Sequence, residues 1–350
     1  MPDDSIDQLR RVCSREWSAI RSARQRTDEK VAQIINAISE LDAPGTSVVV
    51  TGSVGRGELT SGSDFDWMLL VDGESNPDHF VLAQAVKKVV DGYYPKGPGP
   101  TAVFGGLVSS HDLVHHIAGT RDTNENLTRR ILLLLESKAL TGSPLRERVI
   151  RNILVRYVVR DRPVPSRSGN RNFIPHFLLN DVVRYWRTMA SDFASKMWER
   201  NNQGWAIRNT KLRFSRKLLF VAGLLTCFSA EMETPNHLSS EDDESRFLVL
   251  LSDFICDQTS VSPLNKLASK VLPYPACGEK LFDAYDAFVA ALNDESLRSR
   301  FETVTFEAAP ADDTYNRLRE HSHSFRNGIE ELFFDHDPRL SRLIRRLGVF

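Results

Sequence analysis

The chemistry of this chain is concentrated between Val48 and Leu70, in VVVTGSVGRGELTSGSDFDWMLL. Gly52 and Ser53 follow an apolar run. A glycine at the end of a strand permits a tight turn that faces backbone N–H groups outward, and a helix starting there adds its positive end, so phosphate oxygens are favoured. Ser53 and Ser63 add hydroxyls, and Arg56 adds charge. At the far end, Asp64 and Asp66 stand two apart before the apolar run Trp67–Leu70. Residues i and i+2 of a strand share a face. Two carboxylates side by side repel each other unless a cation lies between them. Mg²⁺ (or Mn²⁺) suits this role, because a hard ion takes one or two carboxylates together with substrate phosphates. A nucleoside triphosphate and its metal need both ends of such a segment. The segment has no Gly-Lys-Ser/Thr and no G-x-G-x-x-G after the strand, so it is neither a Walker loop nor a dinucleotide fingerprint.

Elements must hold these ends together. Residues 4–42 carry helical periodicity, with Ile20, Val31, Ile34, Ile35, Ile38 and Leu41 recurring between charges. Val48–Thr51 and Phe65–Val71 read as buried strands, Pro77–Gly92 as a helix, Tyr93–Pro100 as a loop and Thr101–Ser109 as a third strand. Beyond residue 123 the character is helical, over Glu125–Lys138, Leu145–Val159, Phe177–Glu199, Trp205–Phe228, Glu244–Asp257, Glu279–Asn293 and Tyr315–Phe334. A loop rich in Arg, Pro, Ser and Gly spans Arg160–Phe173. The expected architecture is α+β. It has an N-terminal helical segment (1–44), a small mixed-sheet core (45–122) and an all-helical domain (123–350).

GSVGRGELTSGSDFDWMLL resembles the nucleotidyltransferase signature of the DNA polymerase β superfamily, a Gly-Ser followed by Asp-x-Asp. The form G-S-x-x-R-G-E-L-x-x-x-S-D-x-D resembles the branch of the protein-PII uridylyltransferase and its putative stand-alone relatives. Thr123–Val149, Phe177–Arg187 and Trp205–Leu225 look like helical segments of that branch. The resemblance covers about residues 45–230 and implies transfer of a nucleoside monophosphate (NMP) from an NTP to an acceptor, with pyrophosphate released. It implies that Gly52 and Ser53 bind the triphosphate and that Asp64 and Asp66 bind metal. The superfamily often adds a third carboxylate from a later strand. Thr101–Val108 contains no acid, so Asp112, just beyond it, is the candidate.

Other constellations are weaker. Arg208, Lys211, Arg213, Arg216 and Lys217 form a basic helix; a solvated face and a polyphosphate or nucleic-acid contact are both open, and Lys211 is the chosen nucleotide contact. Asn180, Asp181 and Arg184 are candidates to line a cleft between the domains, Arg184 as a nucleotide contact. His111, His115 and His116 cluster with Asp112. Their His-x₃-His spacing fits one helical face and offers metal ligands, but no zinc-enzyme signature surrounds it, so surface or acceptor-side histidines are the favoured reading. His321, His323 and the Asp335-His336-Asp337 run do not assemble a phosphohydrolase metal set.

Composition bounds the rest. The chain has 350 residues, 41% hydrophobic and 26% charged, with a net charge of −1. That balance is globular, and any basic surface must be local. No apolar run reaches the roughly 18 residues a membrane helix needs. The acidic N-terminus does not read as a secretory signal, and four scattered cysteines without a CxxC pair point to reduced thiols and a cytoplasmic setting. A protein side chain is the favoured acceptor by the branch resemblance. An RNA end or a second-messenger product is an alternative, and near-neutral charge argues against a long nucleic acid. A non-catalytic nucleotide-sensing or partner-binding module is a further reading, against which the two aspartates count. Long amphipathic helices are compatible with a homodimer. The base of the NTP is not legible.

Overall fold

The computed structural model describes residues 4–94, 104–160, 173–199, 203–233, 235, 238, 240–241 and 243–348. Most of the Arg160–Phe173 loop, and parts of the Tyr93–Pro100 loop and the Thr101–Ser109 strand, lie outside these residues.

The apolar run TSVVV forms β1 (Thr46–Val50) and WMLLV forms β2 (Trp67–Val71). They pair antiparallel, with Val50 opposite Trp67, and the ladder runs one rung further: the Thr51 N–H donates to the Asp66 carbonyl at 2.9 Å. Between them lies the short helix α3 (Gly52–Arg56), which is numbered here after α1 (Ser5–Cys13) and α2 (Ser18–Ala37). α4 (Pro77–Tyr93) starts at Asn76, whose side chain accepts from the Asp78 N–H, with Pro77 at the first helical position. β3 (Leu107–Ser109) pairs parallel with β2 and passes directly into α5 (Ser110–His115). β4 (Lys138–Ala139) adds to the other edge of β1, giving the mixed order β3-β2-β1-β4.

The two-residue period of the strands decides what covers each face. Val48, Val50, Trp67 and Leu69 pack with Val31 and Ile34 of α2 and Leu82, Val86 and Val90 of α4. Val49, Met68 and Leu70 face the other way, into a core that continues without a break to Leu218, Phe282 and Phe325. The helices of that larger core are α6 (Asn124–Glu136), α7 (Ser143–Arg160), α8 (His176–Glu199), α9 (Trp205–Lys211) and α10 (Lys217–Glu233). They are followed by α11 (Glu244–Ser260), α12 (Pro263–Val271), α13 (Pro275–Asn293), α14 (Glu295–Thr303), α15 (Asp313–Glu331) and α16 (Pro338–Leu343). The fold is α+β, a small mixed sheet near the N-terminus followed by a mostly helical region.

The N-terminal helices lie on the C-terminal ones. Asn265 accepts from the Ile6 N–H at 3.2 Å, and the Trp17 indole donates to Asp283 at 2.7 Å. Asp286 accepts from the Ile20 N–H at 2.8 Å. Sequence periodicity finds α6, α7, α8, α11, α13 and α15 but misses α12, α14 and α16. The predicted Trp205–Phe228 helix is interrupted by a π-helical turn, Leu212–Arg216.

Candidate active site

Phe65 is fully buried and stacks on Tyr94 at 4.7 Å, so Asp64 and Asp66, on either side of it in extended backbone, project to the opposite face. That is the face of Met68 and Leu70, turned toward the larger helical core. The antiparallel register brings Gly52 beside Asp66. Gly52 has φ +65°, and a Cβ there would lie 2.7 Å from Asp66 Oδ2. Only glycine fits this approach, so one end of the segment is built around the carboxylate of the other.

A cavity opens at this junction. Gly52, Ser53, Ser63, Asp64 and Asp66 line one side, and Lys211, Ser215, Arg216 and Arg298 line the other, above Phe288, Val289 and Leu292. Lys211 and Arg216 are five residues apart. An α-helix would place them on different faces, but the π-helical turn between them brings i and i+5 into line. Arg213 is turned away instead, donating to Asn209 at 2.7 Å and to Ser322 at 3.3 Å. Arg298, on α14, is buried against Gly62 of the acidic loop and donates to Glu302 at 3.2 Å. Desolvation pulls the Lys211 ammonium down to about 8. Arg298 and Arg216 add to this drop, while Asp64 and Asp66 oppose it. The cavity thus sets two carboxylates against three cationic side chains.

The loop that carries Asp64 is pinned from outside the sheet. Ser61 donates through its N–H to Asn293 Oδ1 at 3.3 Å and through its hydroxyl to the Asn293 carbonyl at 3.2 Å. Arg26 donates to the Leu59 carbonyl at 3.0 Å and to Asn293 at 2.7 Å. The Ser63 hydroxyl lies in the cavity wall and accepts from the Thr60 N–H at 3.0 Å, so it also closes the turn.

A buried ionic lock lies behind α3. The Gly52 N–H donates to Glu136 Oε1 at 2.9 Å, and Arg56 donates to Glu136 Oε2 at 2.5 Å and to Glu58 at 2.7 Å. The Tyr285 hydroxyl donates to the other Glu58 oxygen at 2.7 Å. Gly55 lets α3 sit on the end of α6, because a Cβ there would lie 1.8 Å from the Glu136 carbonyl. Two residues expected to contact nucleotide also have partners inside the protein. Arg56 lines the cavity, but its guanidinium is committed to two carboxylates rather than set aside for phosphate. The Gly52 N–H is committed to Glu136, so glycine serves here for approach rather than as a donor.

Arg184 and Asp112 do not join the cavity. Arg184 donates to Asp122 at 3.0 Å, beside a buried group in which Arg130 bonds Asp122, Asp181 and Tyr157. This cluster fastens α6 to α7 and α8. Asp112 lies at the wrong end of the strand pair. Ser109 of β3 is opposite Val71, and Ser110 donates to Asp72 at 2.6 Å. Val71 is roughly 16 Å along an extended strand from Asp66, and Asp112 lies beyond it, next to His116 at 3.3 Å. The backbone beside Asp66 is Phe104–Gly106: Gly105 donates to the Trp67 carbonyl at 2.7 Å, and Leu69 donates to the Gly106 carbonyl at 3.0 Å. Residues 95–109 contain neither Asp nor Glu.

Sequence reasoning missed Arg216, Arg298 and Glu136 as site residues. Arg216 belonged to a noticed basic run, but its direction is set by the π turn. Arg298 has no local signal, being one of two arginines in SLRSRFE. The donor set suits a hard divalent cation, with two carboxylates on one side of Phe65 and Asp66 held against backbone by a glycine that admits no Cβ.

No curated protein matches the chain significantly. Among the described residues, no helix is long and apolar enough to cross a membrane. Residues 31–95 match the family model described as a nucleotidyltransferase domain; this span holds the C-terminal end of α2, both central strands, Gly52-Ser53 and Asp64/Asp66, and it supports the polymerase β-like superfamily and nucleotidyl transfer in general.

Proposed function

We propose that this chain moves an NMP from an NTP to an acceptor with release of pyrophosphate, using Mg²⁺ held by Asp64 and Asp66. The observation that carries this reading is the single cavity that faces those two carboxylates with Lys211, Arg216 and Arg298. A divalent ion bound there would neutralise phosphate charge and favour displacement at the α-phosphorus. The three cations would take up the charge that gathers on the departing pyrophosphate, and a fixed cationic wall does this without reorganising. Ser53, at the start of α3, would contact the triphosphate beside Asp66. Phe288, Val289 and Leu292 line the same cavity, and an apolar wall of this kind would lower the local dielectric and strengthen the charge contacts beside it. The acceptor's proton does not leave to a carboxylate of β3, since that segment has none.

A protein side chain is the proposed acceptor. Support for it comes from the G-S-x-x-R-G-E-L-x-x-x-S-D-x-D pattern, which resembles the uridylyltransferase branch. The test is incubation of the full chain with each α-labelled NTP, Mg²⁺ or Mn²⁺, and cell lysate. Label on a protein band supports the reading. Label on RNA, or in a small cyclic product, replaces the acceptor while keeping the chemistry. Label that persists undiminished in Asp64→Ala and Asp66→Ala would overturn the metal assignment.

A further inference from the structure

At the end of β3 remote from Asp66, three imidazoles and one carboxylate gather within six residues. Nine histidines are spread over the whole chain, and three of them are His111, His115 and His116. The side chains of His111, Asp112 and His116 converge, with one ligand atom of each within 4.8 Å of the other two. His116 Nδ1 lies 3.3 Å and His111 Nδ1 3.9 Å from the same Asp112 oxygen. Two ligands held about 2.05 Å from a tetrahedral ion lie about 3.4 Å apart. The His116–Asp112 separation is therefore already that of a shared metal, and the His111–Asp112 separation exceeds it by a rotamer adjustment at an exposed side chain. The His115 ring packs against that of His111 at 4.6 Å between centroids, beside the convergent set rather than in it.

We infer that His111, Asp112 and His116 form a binding site for a borderline transition-metal ion of the zinc, nickel or cobalt type, separate from the Asp64/Asp66 site. Imidazole nitrogens select such ions over Mg²⁺, which takes oxygen ligands. The site runs from the first turn of α5 to its C-cap, His116, so an ion there would tie the two ends of this short helix together. A second convergent group, Cys277 with Glu331 and His336, is less ready. Burial pushes the Cys277 thiol up to about 11, and it donates to the Gly328 carbonyl at 3.3 Å. Glu331 is engaged by Lys280 at 2.5 Å.

The test uses full-length protein stripped with a chelator and dialysed against Zn²⁺ or Co²⁺ in excess Mg²⁺. One equivalent is expected to bind. Its affinity should fall at least tenfold in His111→Ala/His116→Ala and fall measurably in Asp112→Asn. It should be unchanged in Asp64→Asn/Asp66→Asn, so the result does not depend on nucleotidyl transfer. Bound Co²⁺ should lack a thiolate charge-transfer band. The altered residues are at the surface, and an unchanged melting temperature without metal confirms that each variant is folded. Undiminished binding in the histidine double variant would overturn the site. So would loss of the equivalent in Cys277→Ser or in the aspartate double variant.

Discussion

The two ends of the β2–β3 strand pair carry opposite chemistry on one hydrogen-bonded scaffold. At the Asp66 end, oxygen ligands face three cations from α9, its π turn and α14 across a cavity roofed by helices of the C-terminal half. At the Val71 end, nitrogen ligands stand on a short helix and its C-cap, two of the three ligand side chains exposed. A strand pair fixes positions but no chemistry. The elements that arrive at each end decide which ion fits. The first end depends on residues roughly 145 to 235 positions away in sequence, and the second is built from six consecutive ones.

The sharpest way to break this comparison is to remove one acid. Asp66→Asn keeps the shape but removes half of the anionic pair, and metal-centred charge stabilisation is worth several kcal/mol. Transfer should fall by at least about 10³-fold, measured as pyrophosphate release, while zinc binding at the other end is retained. Asp112→Asn should give the converse, with transfer within about twofold of wild type. A large loss of transfer in Asp112→Asn would restore Asp112 to the catalytic set and contradict the separation of the two ends.

The lock behind α3 comes next. Glu136→Gln leaves Arg56 buried with half its partners. Removing one member of a buried ion pair costs about 3–5 kcal/mol, so the urea midpoint should drop with an unchanged slope. Gly55→Ala should be comparably damaging, because the obstacle is a backbone carbonyl that cannot turn aside. An unchanged midpoint in both variants would show that α3 is not anchored through α6.

A smaller effect is expected at the cationic wall. A hydrogen bond to a charged group is worth about 1.5–3 kcal/mol, so Lys211→Ala and Arg298→Ala should each raise KM for the NTP by about 10- to 100-fold, with stability little changed for Lys211→Ala. Arg184→Ala should leave KM unchanged, because its guanidinium is held by Asp122 away from the cavity. Equal effects for Arg184 and Arg298 would mean that the cavity extends to α8 when nucleotide binds.

These contrasts follow how far each feature was legible in the sequence. The Gly-Ser and Asp-x-Asp pair could be read because strand period and turn chemistry are local, and the antiparallel register then delivers what the spacing implies. The opposing wall could not. The direction of Arg216 depends on one inserted residue in a helix, which hydrophobic periodicity averages away, and Arg298 reaches the site only because Asn293 pins the acidic loop to the end of α13. The partners of Arg56 were equally illegible. An arginine beside a phosphate-type turn invites a ligand role, while the two buried carboxylates that claim it come from residues 58 and 136. Asp112 was placed by proximity in sequence to a strand whose direction puts it at the far end. Of the two nine-residue helices, α14 carries only a weak apolar stripe, whereas α12 buries Leu264, Leu267, Ala268 and Val271 on one face, a legible pattern that the reading passes over.

The smallest expected effect separates the site lysine from a structural one. Lys211 is held down to about 8, and Lys266, buried in α12 against Thr226, is held down to about 7 by desolvation. Both groups bind fewer protons folded than unfolded, since an unfolded lysine titrates near 10.4. Stability therefore rises with pH across the window from about 7 to 8.5, by at most about 1.4 kcal/mol per pH unit for Lys266. Nucleotide affinity should move the other way. The phosphate contact requires the Lys211 ammonium, which is fully present below about 8 and lost as pH rises through it. The Kd of a non-hydrolysable NTP analogue should thus weaken a few-fold between pH 7.5 and 9. In Lys211→Arg the decline should flatten, because a guanidinium stays charged. Lys266→Met should remove most of the stability slope and leave the affinity profile intact. If Lys266→Met flattened the affinity profile as well, the pH response would belong to the fold rather than to the cavity, and Lys211 would lose its assigned role.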